Sequence, residues 1–111
     1  MTHVPGLTEQ ECDLIAGVLR AHPEILRAKV FGSRAKGTHK SSSDVDLAIW
    51  GLANDVFAQQ KLASELDELP LPYQFEVKAF ERIRLHALRD HIERRGITIF
   101  EATSLPPAAP G

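Results

Sequence analysis

Two aspartates one residue apart, Asp44 and Asp46, open the apolar run DVDLAIW at residues 44–50. In extended backbone, residues two apart share a face, and their Cα atoms lie roughly 7 Å apart at about 3.3 Å of rise per residue. The pair therefore faces one way, continued on that side by Ala48 and Trp50, while Val45, Leu47 and Ile49 take the other. Two like charges at the rim of an apolar surface repel each other and resist desolvation. A divalent cation offsets both costs, and Mg²⁺ takes one or two carboxylates and fills its remaining positions with phosphate oxygens. On its own, an Asp-x-Asp is more often a pair of solvent-facing strand acids.

A second group changes that balance. Gly32-Ser33 follows the apolar stretch EILRAKVF (24–31) and precedes a possible helix start over 33–37. Glycine lets the backbone approach a ligand closely, free N–H groups at a helix start hold phosphate, and the Ser33 hydroxyl adds a donor. A strand-to-helix turn is the ordinary alternative for Gly-Ser alone. The two groups stand at one spacing, Gly-Ser, ten residues, Asp-x-Asp. From average residue frequencies, four fixed identities at such a spacing coincide in about one chain per thousand of this length. Arg34 and Lys36 flank the phosphate position, and His39 and Lys40 lie in the polar stretch THKSSS before the aspartates. All four fit either charge neutralisation or an exposed surface.

The elements that must position these residues can be read from periodicity. LTEQECDLIAGVLRAHP (7–23) predicts a helix with a Thr8–Glu11 capping box, a Leu7 staple toward Cys12, and an apolar stripe of Leu14, Ile15, Val18 and Leu19. Strands are expected over 24–31 and 44–50, the latter stopped by Gly51. A second helix is expected over 54–69, capped by Asn54 or Asp55 and ended by Pro70 and Pro72. YQFEVKAF (73–80) alternates as a strand, with Gln74, Glu76 and Lys78 opposite Phe75, Val77 and Ala79. ERIRLHALRDHIERRG (81–96) reads as a third helix, closed by Gly96 and carrying Arg94 and Arg95 at the negative end of its dipole. ITIFE (97–101) is a last strand. The order α-β-α-β-α-β-α-β, counting the short element after Ser33, predicts an α/β (α+β) fold with a small mixed sheet flanked by helices. One domain over 1–101 and a flexible tail over 102–111 are expected.

The composition narrows the function classes. The chain has 111 residues, 25% of them charged, with a formal net charge of −2. Bulk nucleic-acid binding needs a basic excess that is missing here, whereas binding a single nucleotide needs only a local site. The lone Cys12 cannot form an internal disulfide and reads as a small buried hydrophobe, which points to a cytoplasmic setting. The apolar runs are too short to cross a membrane. The five histidines show no metal-ligand spacing with the cysteine, which argues against zinc.

The segment GSRAKGTHKSSSDVDL resembles the signature of the DNA polymerase β-like nucleotidyltransferases. The short length, LPYQFEVKAF and HIERRGITIFE are similar to the minimal MNT branch of that superfamily. The resemblance spans about residues 7–101. It implies that Gly32 and Ser33, with Arg34 beside them, hold the triphosphate of ATP. It implies further that Asp44 and Asp46 bind Mg²⁺, two ions being expected. The third carboxylate of the family stands on the next central strand, usually as aspartate, and Glu76 occupies that position here. The implied reaction moves AMP from ATP to a hydroxyl, a tyrosine on a HEPN-domain toxin partner, as the antitoxin of a toxin–antitoxin pair. The competing expectation is a catalytically weak nucleotide-binding antitoxin that neutralises a HEPN ribonuclease by complex formation, and the longer Glu76 side chain favours it. Homo- and hetero-oligomers are both open.

Overall fold

In the computed structural model, described over residues 7–32, 44–52 and 55–102, helix α1 runs Glu9–Arg20 and strand β1 runs Arg27–Phe31. Strand β2 (Val45–Trp50), helix α2 (Val56–Asp67) and strand β3 (Phe75–Ala79) follow. A 3₁₀ turn (Phe80–Arg82), helix α3 (His86–Arg95) and strand β4 (Ile97–Glu101) complete the chain. The short helix expected after Ser33 and the tail beyond Ala102 lie outside the described residues.

The strands form one mixed sheet of order β3-β2-β1-β4. β1 pairs antiparallel with both β2 and β4, while β2 and β3 run parallel, joined through α2. The alternation expected along 45–50 is what the sheet uses. Val45, Leu47 and Ile49 pack with Ile15, Leu19, Leu62 and Leu66, residues of α1 and α2, in the larger core. On the opposite face, Phe31, Ala48, Phe80 and Ile92 form a smaller core under α3, with Trp50 stacked on Phe80 at 4.2 Å between ring centroids.

Local signals account for the helix starts. Glu11 N–H donates to Thr8 Oγ1 at 3.1 Å and Thr8 N–H to Glu11 Oε1 at 3.0 Å, which closes the capping box. Leu7 and Cys12 are both buried beside it, the cysteine as a packing residue. Asp55 caps α2 by accepting from Ala58 N–H at 2.9 Å.

The third helix differs from expectation. It begins at His86 rather than at residue 81, because the 80–85 segment is held in another shape. The Arg89 guanidinium donates to the carbonyls of Phe80 at 3.2 Å and Ile83 at 2.8 Å and lies over the Phe80 ring. Gly51 N–H donates to the Glu81 carboxylate at 2.7 Å. These bonds outweigh the helical propensity of a charged segment whose only large buried residue is Phe80. Gly96 closes the helix as expected, its N–H donating to Ile92 O at 2.9 Å, and it has a second role. Its φ is −64°, so no left-handed cap is formed, but a Cβ there would meet Ile92 O at 2.3 Å and the Lys29 side chain near 3.1 Å. The glycine allows α3 to sit close against β1.

Candidate active site

Three strands converge where β1 ends and where β2 and β3 begin. Phe31 is the register partner of Asp46 across the antiparallel pair, and Asp46 is the register partner of Glu76 across the parallel pair. Asp46 and Glu76 thus stand side by side on the α3 face of the sheet, at the neighbouring-strand spacing of about 4.8 Å. Asp44 lies just before β2 and is exposed, Asp46 is half-buried, and Glu76 is exposed.

Gly32 follows β1 directly and sits against this group. Its φ of +79° is left-handed, and a Cβ there would fall 2.6 Å from Asp46 Oδ2. Any side chain would therefore strain the backbone and push the aspartate aside, so glycine is required for both reasons. Ser33 and Arg34, expected beside it, lie outside the described residues, as do Lys36, His39 and Lys40.

The electrostatics match a cation-seeking site. Burial, first, and then the charges of Glu76 and Asp44 hold the Asp46 carboxyl above the ordinary carboxylate range, with the Lys78 ammonium pulling the other way. Lys78 Nζ lies 3.7 Å from Glu76 Oε2, the pairing anticipated from alternation along β3. Among the described residues, no three His, Cys, Asp or Glu side chains lie close enough to enclose an ion by themselves. Mg²⁺ does not require that, since it keeps waters and accepts phosphate oxygens. Asp46 and Glu76, neighbours across the β2–β3 pair, are oxygen donors of the kind such an ion takes.

One residue of this site was not anticipated. His91 Nε2 accepts the Gly32 backbone N–H at 3.2 Å, and its ring meets Phe31 edge-on at 6.4 Å. The acceptor role places the ring proton on Nδ1. The amide suited to phosphate is thus held by an imidazole. A signal for this was present in the sequence, because Leu88, His91, Ile92 and Arg95 follow the spacing of one helix face. Ile92 is fully buried and packs with Leu88, and His91 stands three residues after that same Leu88, on the flank of the face turned to the sheet.

No curated protein matches the chain in sequence. Solved structures do match in shape. A chain of a toxin–antitoxin crystal structure with AMP-PNP superimposes with a TM-score of 0.70 at 22% identity, covering 83% of this chain and 74% of that one. A chain of the MntA-HepT toxin–antitoxin gives 0.65 at 18% identity, covering 86% and 74%. A chain from tri-AMPylated Shewanella oneidensis HEPN toxin in complex with MNT antitoxin gives 0.63 at 19% identity, covering 82% and 70%. At these identities the likeness concerns the fold. The family model described as "Polymerase beta, Nucleotidyltransferase" covers residues 13–104, from the first helix through the last strand. The chain belongs to the polymerase beta nucleotidyltransferase family.

Proposed function

We propose that this protein transfers AMP from ATP to a hydroxyl on a partner protein, a tyrosine of a HEPN-domain toxin, and acts as the antitoxin of that pair. The observation that carries the reading is the register of Asp46 against Glu76 with Gly32 packed on the aspartate. The neighbours in shape support it, since one is a toxin–antitoxin with AMP-PNP and another is an AMPylated HEPN toxin with its MNT antitoxin.

In this reading Gly32, its N–H held by His91, lets the chain turn closely past Asp46, while Ser33 and Arg34 supply the donors to the phosphates. Asp44, Asp46 and Glu76 would hold Mg²⁺, and the ion would supply neutralisation of the charge on the phosphates and on the departing pyrophosphate. The acceptor oxygen forms a bond to the α-phosphorus as the bond from that phosphorus to the bridging oxygen of pyrophosphate breaks. The hydroxyl proton passes to a carboxylate, for which Glu76 is placed at the exposed end of the group. Such transfers depend on alignment and charge neutralisation more than on covalent participation by the protein. Gly32, Asp46 and Glu76 supply the alignment because Asp46 and Glu76 are fixed on adjacent strands and Gly32 directly follows a third beside them.

A second reading is favoured by the Glu76–Lys78 pair, which draws the third carboxylate toward a cation already present. In it the protein neutralises the toxin by binding, with little transfer. The two separate in one experiment, in which protein, HEPN partner, Mg²⁺ and ATP are incubated and the partner's intact mass is measured. A gain of whole AMP units, lost in Asp44→Ala/Asp46→Ala, is expected. An unmodified partner in a tight complex would overturn the transferase reading in favour of the second.

A further inference from the structure

We propose that the cavity between β3, the 3₁₀ turn and the start of α3 docks an acidic segment of the acceptor protein and so brings its hydroxyl to the carboxylates. This rests on the transfer reading above and adds to it the surface by which the acceptor is recognised.

The cavity has a volume of about 400 Å³. Lys78, Arg82 and Arg84 contribute three cations to its lining, with Gln59, Leu85 and Leu88 around them, and no acidic residue is among the lining residues described. That concentration is unusual on a chain whose net charge is −2. Lys78 is paired with Glu76 at 3.7 Å, but the two arginines have little structural employment among the described residues. Arg82 reaches Gln59 Oε1 at 3.5 Å, a marginal contact, and Arg84 makes no hydrogen bond or ion pair among the described residues. The backbone that carries them is nevertheless fixed, pinned by Arg89 to the Phe80 and Ile83 carbonyls and by Glu81 to Gly51 N–H. A fixed backbone that presents the two guanidinium groups with one marginal bond among the described residues is preorganised for a ligand.

The start of α3 adds to the positive field. Its N-cap is Leu85, with no side-chain capping bond among the described residues and no acid in the first turn, so the helix's positive end adds to the charge of Arg84 beside it. Leu85 is 66% exposed, which favours a ligand that pairs apolar surface with its negative charge. Free polyphosphate has no such surface. The location also separates this cavity from the phosphate position, since Gly32 follows β1 and the cavity borders β3, with β2 between them. Lys78 lies two residues beyond Glu76 on one strand face, roughly 7 Å along β3. An acceptor segment held there lies beside the carboxylates.

The test uses the full chain with its HEPN partner and compares wild type with Arg82→Glu/Arg84→Glu. Partner affinity is measured by calorimetry without ATP, and KM for partner and for ATP are measured in the AMP-transfer assay. The expected result is at least a tenfold loss of partner affinity and the same rise in partner KM, with KM for ATP unchanged. Arg94→Glu/Arg95→Glu, equal in charge change but distant from the cavity, is expected to bind like wild type. Unchanged partner affinity in the cavity variant would overturn the proposal, as would equal losses in both variants. A raised KM for ATP alone would overturn it in favour of a nucleotide site. If wild type binds but transfers nothing, the transfer reading fails, while the calorimetric comparison still decides the docking surface.

Discussion

Asp46 combines partial burial with two negative neighbours, and its raised pKa turns this into a dependence of stability on pH. A carboxyl with a higher pKa in the folded than in the unfolded state makes the native protein bind the extra proton. Stability therefore falls as pH climbs from the ordinary aspartate value of 3.8 through the folded value. Asp46→Asn should be more stable than wild type at pH 7 by a few degrees in Tm, and the gap should close below pH 3.8. Thermal melts across that range check it. Addition of Mg²⁺ should raise the wild-type Tm and leave the variant nearly unmoved. At Gly32 the outcome differs, because the left-handed φ and the approach to Asp46 Oδ2 both exclude a side chain. Gly32→Ala should remain folded, at a cost of about 1–2 kcal/mol, and lose at least tenfold in affinity for ATP, measured by titration.

Among the elements, the 80–85 segment depends on one side chain. Arg89→Ala removes two charge-assisted bonds to carbonyls and the contact with Phe80, and should cost about 1.5–3 kcal/mol. Denaturant unfolding gives the total, and hydrogen exchange should show the loss concentrated at residues 80–85. The same segment marks where the sequence ceases to be legible. Patterns decided by near neighbours could be read directly: the Thr8–Glu11 box, the Asp55 cap, and the alternation that sends Asp46, Ala48 and Trp50 one way and Val45, Leu47 and Ile49 the other. Lys78 beside Glu76 was legible for that reason too. The 3₁₀ turn was not, since Arg89 and Gly51 hold it from a distance that periodicity does not record. That Gly96 caps α3 is legible from its position after a helix, but the space it clears for Lys29 on another strand is not. The site divides similarly. The spacing of Gly32 and the aspartates identified them, but the register that sets Glu76 beside Asp46 belongs to a parallel pair with a helix between its strands. The hydrogen bond from Gly32 to His91 spans 59 positions.

At the scale of the molecule, the site draws on three strands and one helix, so ligand binding requires most of the fold. Anything that binds only the native state stabilises it by mass action. Mg²⁺ with ATP at about one hundred times Kd should add about 2.7 kcal/mol to the unfolding free energy, and Asp44→Ala/Asp46→Ala should gain nothing. Denaturation with and without nucleotide measures both. Packing is the larger contribution. Leu47 is fully buried in β2, directly beneath the site, and Leu47→Ala should cost about 2–5 kcal/mol.

The strand order β3-β2-β1-β4 also bears on how the protein is made. The strands that bear or adjoin Gly32, Asp46 and Glu76 all precede α3 and β4 in the chain. The helix that covers Phe31, Ala48 and Phe80, and β4, the second partner of β1, are synthesised last, so there is an interval before they dock in which the sheet is incomplete. In that interval the carboxylates have neighbours but the apolar surface beside them has no cover. A chain in which α3 has not docked therefore offers Phe31, Ala48 and Phe80 to proteases, and the docking of α3 sets how much protein survives.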